Sequence, residues 1–178
     1  YEKVLRVMSV SEQAGMRIFP WQMEFESALR CFNKSQTHTI DEYSSKFGQR
    51  YPMDTCLRYG VTFGGRAAGI FRKYEKKKPA EEIIIKAGPC ERLTSTSHFH
   101  VDFNGRYIPA LCTGFSIPLE EIGKSLNKYA ILTMLYSEGI ASLYTYATKN
   151  HGYKPLDSGY VNSCDLCLDI RKHLYRTG

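Results

Sequence analysis

The chain contains no run of about 18 apolar residues, so no transmembrane helix and no membrane partner is expected. Its opening residues, Tyr1-Glu2-Lys3, are not the charged and then apolar stretch of a secretory leader, and a cytoplasmic location is expected. The chain begins at Tyr1 instead of Met, as expected for a piece of something longer. Neither a G-x-G-x-x-G nor a Walker pattern occurs, no Ser/His/Asp arrangement suggests a hydrolase, and there is no internal repeat or low-complexity tract. Those gaps remove the commonest nucleotide-binding and hydrolytic readings.

What is present is an ordinary globular composition. The 178 residues are 43% hydrophobic and 24% charged, enough for one large domain or two small ones around a buried core. The net charge of +6 suits nucleic acid or anionic ligands. Five of the positive charges, however, sit in Arg72-Lys73-Tyr74-Glu75-Lys76-Lys77-Lys78 just before Pro79, which reads as a solvated linker. A phosphate-contacting strip would need further basic residues on the same face. Nucleic acid is therefore a disfavoured partner that stays open.

The pattern along the chain mixes helix and strand. Val4, Leu5 and Met8 share one face of an amphipathic helix that closes at Ala14-Gly15. Residues 16–21 and 59–63 read as short strands, and together with the helices around them give the N-terminal part an α/β character. Thr39-Ile40-Asp41-Glu42 supplies an N-cap and an acidic first turn for a helix to about Phe47, and another helix starts near Gly64-Gly65-Arg66. Ile83-Ile84-Ile85 is strand-like. Asn104-Gly105 predicts a hairpin with arms 99–103 and 106–108. Helices are expected over 117–126, 128–138 and 140–150, a loop over 153–159, and a last helix over about 164–175. The fold class is α+β.

With no leader, six cysteines are better explained by metal ligation or catalysis than by a disulfide framework. Cys164-Asp165-Leu166-Cys167 is a C-x-x-C at a helix start, where two thiolates can converge and the helix end favours their ionised form. Cys90 follows Gly88-Pro89 at an expected strand exit, and Cys112 follows the second hairpin arm. The hairpin should bring those two to the same end, so four thiolates can meet: Cys90, Cys112, Cys164 and Cys167. Such a set suits a tetrahedral zinc site or a [4Fe–4S] cluster. The wide spacing of the first pair, where zinc modules carry tight knuckles, favours the cluster. Buried thiols with no metal are the plainer alternative for Cys90 and Cys112. Cys31 and Cys56 read as core residues.

Cys90…Gly105…Cys112 followed by Cys164-x-x-Cys167 resembles the auxiliary-cluster (SPASM/Twitch) domains at the C-termini of radical SAM enzymes. The stretch from His98 through Asp102 and Gly105 to Cys112 looks most like them. The resemblance implies a single-cluster, Twitch-type domain over 80–178, with 1–75 as the end, or remnant, of a radical SAM α/β partial barrel. It also implies an auxiliary [4Fe–4S] cluster that transfers electrons or anchors substrate. The C-x-x-x-C-x-x-C loop of the SAM-cleaving cluster is missing. S-adenosylmethionine thus belongs here only with an upstream radical SAM region of the same protein, and whether the chain is itself an enzyme stays open. The alternative from another class is a structural zinc module in a binding protein associated with nucleic acid.

Other candidates carry less. His98, His100 and Asp102 alternate on one face of the first hairpin arm, as ligand, proton relay or substrate contact, or as hydrogen-bonded loop residues. Arg66 after Gly64-Gly65 could pair with a carboxylate or phosphate in a backbone nest, though a tight turn explains the glycines equally well. Phe19-Pro20-Trp21 could line a pocket or simply pack. Cys167 and His173 are too far apart on a helix to act as nucleophile and base.

Overall fold

The structure is a computed structural model that describes residues 2–16, 31–32, 35–58, 66–95, 97, 99–109, 112 and 114–177, apart from the side chains of Val4 and Arg66. The expected strands at 16–21 and 59–63, with Phe19-Pro20-Trp21, lie almost wholly outside these residues. Two compact units divide between Gln49 and Arg50. Segment 76–79, expected to separate two domains, therefore lies inside the second unit.

In the first unit, α1 (Glu2–Gln13) ends as expected, its chain leaving through Ala14 and Gly15. Helix α2 (Ile40–Phe47) begins at a full capping box. The Thr39 hydroxyl accepts from the Glu42 amide at 3.2 Å while the Glu42 carboxylate accepts from the Thr39 amide, so two orphan donors of the first turn are satisfied. Phe32 packs its ring against His38 and Tyr43, with centroids 4.5 and 4.7 Å away.

The second unit holds α3 (Tyr51–Arg58), α4 (Arg66–Phe71), α5 (Ala80–Ile85), α6 (Glu91–Thr94), α7 (Ala130–Ser137), α8 (Ile140–His151) and α9 (Ser163–Thr177). Its sheet is three-stranded and antiparallel, ordered β1 (Phe99–Val101), β2 (Arg106–Pro109), β3 (Ile117–Pro118). The described elements make an α+β unit in which α9 packs on α8 and α5 and a small sheet stands beside them. Leu143 and Ala147 of α8 and Leu166 and Ile170 of α9 are fully buried and form the centre of the core. No helix among the described residues is long and apolar enough to cross a membrane.

Three local expectations are corrected. Ile83-Ile84-Ile85 is helix, not strand. Pro79 precedes the first turn, Glu81 and Glu82 sit in it, and an acidic first turn outweighs the weak strand preference of three β-branched residues. Residues 117–126 are not a helix: Ile117 and Pro118 pair with Tyr107 and Arg106, and only a short 3-10 turn over Leu119–Glu121 follows. Arg106 draws that segment in, donating to the Ser116 hydroxyl at 2.8 Å and the Ser116 carbonyl at 2.9 Å. The basic run is not a free linker either. Arg72 donates to buried Asp165 at 2.7 Å, and Lys78 exchanges both backbone bonds with Tyr160 at 2.9 Å.

The hairpin forms where expected, but its turn is longer than an Asn-Gly pair. The Asp102 amide donates to the Arg106 carbonyl and the Gly105 amide to the Asp102 carbonyl, leaving Phe103, Asn104 and Gly105 as the loop. Gly105 holds φ +69°, the left-handed residue that a three-residue loop requires.

Candidate metal centre

Each expected thiol is held by its own local structure. Cys90 sits at the N-cap position of α6, behind Gly88 and Pro89, so it leaves a helix where a strand exit was expected. Its amide donates to the Leu135 carbonyl of α7 at 3.0 Å, which pins it to that helix. A Cβ at Gly139, just past α7, would overlap the Gly88 carbonyl, so only glycine lets the Cys90 loop lie this close. Cys112 follows β2, its amide bonded to the Pro109 carbonyl at 2.9 Å. Cys164 and Cys167 occupy the first turn and a half of α9.

All four thiols line one cavity of about 510 Å³, together with Arg92, Phe115, Leu135 and Arg171. None of the cysteines forms a disulfide. Charge on Cys90 and Cys112 acts on both Cys164 and Cys167, so the hairpin pair and the helix pair share one electrostatic site. Burial pushes the Cys164 thiol up and the Cys167 thiol up to about 11. The expectation that the helix end would favour thiolates is thus reversed, because loss of water outweighs the dipole. Arg92 pulls Cys164 the other way, and Arg171 does the same to Cys167.

Among the described residues, no three His, Cys, Asp or Glu side chains stand close enough to hold a single metal ion. A tetrahedral zinc site places every sulfur about 2.3 Å from one point. Four cavity-lining sulfurs without that convergence, flanked by two guanidinium groups, are a donor set that fits a larger, negatively charged polynuclear centre with one thiolate on each iron.

The other candidates separate from this site. Asp102 is engaged in holding the hairpin turn, where its Oδ1 accepts from the Asn104 amide at 2.9 Å and the Arg106 amide at 3.0 Å. His100 is exposed on β1, and among the described residues neither it nor Asp102 lines the cavity. His98 lies outside the described residues, and of Arg66 only its place at the start of α4 is described. Cys56 is buried as expected, but Cys31 is exposed in a turn, not in the core. His173 bonds through Nε2 to the His151 carbonyl at 2.7 Å, a connection between helices.

Two features escaped sequence reasoning. Arg171 lies on the same face of α9 as Cys164 and Cys167, and its four-residue spacing from Cys167 was the available signal. The opposite face of α9 carries Asp165 and Asp169. Asp165 accepts from Arg72 and from the Val161 amide at 3.1 Å, and Asp169 accepts from Tyr153 at 2.8 Å and Tyr160 at 2.7 Å. No family model, no curated protein and no solved structure matches the chain.

Proposed function

We propose that Cys90, Cys112, Cys164 and Cys167 hold a [4Fe–4S] cluster, and that the chain is the C-terminal, auxiliary-cluster part of a radical SAM enzyme. The reading rests on one observation: four thiols from three separated stretches line the same cavity. In this reading residues 80–178 are the Twitch-type domain and residues 1–75 the end of the partial barrel. S-adenosylmethionine would bind an upstream region of the same protein.

When bound, such a cluster supplies one-electron chemistry or an open iron for a substrate atom. The chain's own residues contribute placement and charge. Leu135 and Gly139 seat the Cys90 loop, α9 presents its two sulfurs on one face, and Arg92 and Arg171 offset negative charge at either end. Because burial keeps Cys164 and Cys167 protonated at neutral pH, loading must displace protons, and uptake should weaken as pH falls.

Anaerobic reconstitution with iron and sulfide tests the proposal. Brown protein carrying about four irons and four sulfides per chain, lost in Cys164→Ala and Cys167→Ala, is the expected result. Colourless protein holding one zinc ion per chain would replace this reading with a structural zinc module. Chain that takes up neither metal, with folding unaltered in Cys164→Ala, would make these cysteines plain core residues.

A further inference from the structure

Arg171 is in an unusual position for a cation. It is half-buried, its Nη1 donates to the Gly114 carbonyl at 2.7 Å, and its guanidinium lies over the Phe115 ring, 4.7 Å from the centroid. A Cβ at Gly114 would overlap the guanidinium, so the segment after Cys112 can approach this closely only as glycine. The same guanidinium hydrogen-bonds the Cys167 thiol. Its Nε is buried and has no partner. Among the described residues no carboxylate forms an ion pair with it.

A carbonyl, an aromatic face and a thiol are all neutral groups. A cation drawn out of water needs compensating charge or good hydrogen bonding, and here the charge is missing while one donor is unused. The side of Arg171 that lacks a counter-charge is the side that faces the four cysteines. An anionic centre on those sulfurs supplies what is absent.

We propose that Arg171 is a positioning residue for that centre: it ties the Cys112 segment to α9 and, through its hydrogen bond to Cys167, stabilises the reduced, more negative state of the cluster. The inference rests on the cluster reading above and adds to it a device that sets redox poise. A positive charge and a donor beside a cluster sulfur favour the added electron, so removing them favours the oxidised form.

The test uses the full chain, reconstituted anaerobically, as wild type, Arg171→Gln and Arg171→Lys. Iron and sulfide are counted, and the reduced fraction is followed by electron paramagnetic resonance during a mediated redox titration. Arg171→Gln should shift the reduction equilibrium at least tenfold toward the oxidised form, about 59 mV for one electron. Arg171→Lys, which keeps the charge, should recover most of that shift. A fully loaded Arg171→Gln protein that titrates like wild type overturns the proposal. So does a Lys variant no better than Gln. If Arg171→Gln fails to fold, Gly114→Ala displaces the guanidinium while retaining it; a lowered potential there supports the proposal and an unchanged one overturns it. Wild-type chain that binds no iron defeats the cluster reading itself, a result distinct from all of these.

Discussion

The buried ion pair of Arg72 and Asp165 shows how one residue can be misread when its partner is distant. Asp165 has no exposed surface, and Arg72 reaches it from 93 positions earlier in the chain. Nothing in Arg72-Lys73-Tyr74 distinguishes the arginine from its lysine neighbours, so a solvated run is what the local pattern suggests. Leaving a buried carboxylate without its cation costs about 3–5 kcal/mol. Arg72→Ala should therefore lower unfolding stability by roughly that amount in urea titrations, whereas Lys73→Ala, at an exposed position, should change it by less than about 0.5 kcal/mol. Cys167 gives a second prediction at this scale. Its folded pKa of about 11 lies above the ordinary 9.0, so the unfolded chain loses its proton first as pH rises. The stabilisation is complete below about pH 9 and disappears by about pH 11, a loss on the order of 2–3 kcal/mol in metal-free protein. Denaturation of wild type and Cys167→Ala across that range should show the steeper alkaline decline in wild type alone.

Among the elements, those with a local cause were legible. Thr39 and Glu42 announce α2, Gly139 and Gly152 bound α8, and Asn104-Gly105 marks the hairpin. What misled was pattern without its competitor. Three isoleucines suggest a strand until Pro79 and two glutamates start a helix there. The stretch from Ile117 looks helical until Arg106 holds Ser116 against β2. The thiols were identifiable as a set because cysteine is chemically distinctive, but the chain segments that carry them were not all recognised: Cys90 leaves α5 and caps α6. At this scale Gly139→Ala is the informative change. The added methyl would meet the Gly88 carbonyl, and such overpacking costs about 1–3 kcal/mol. Tm should fall, and because the same contact seats Cys90, metal uptake should fall further than in Thr39→Ala, which loses only a helix cap worth about 1 kcal/mol.

In the larger unit, the terminal helix has two occupied sides. One displays Cys164, Cys167 and Arg171 to the cavity; the other is fixed by Asp165 to Arg72 and by Asp169 to Tyr153 and Tyr160. That polar fastening involves no thiol and needs no metal. It sets this chain apart from small metal modules that are unfolded when empty. Treating loaded protein with a chelator should strip the centre yet leave far-ultraviolet circular dichroism unchanged, and amide exchange along α9 should slow by less than about tenfold on reloading, equivalent to about 1.4 kcal/mol of local opening. The receptacle is thus built ahead of its contents. Cofactor insertion can come last in the life of the protein, after synthesis and folding are finished, and a chain that loses its inorganic core under oxidative stress keeps the shape needed to be repaired.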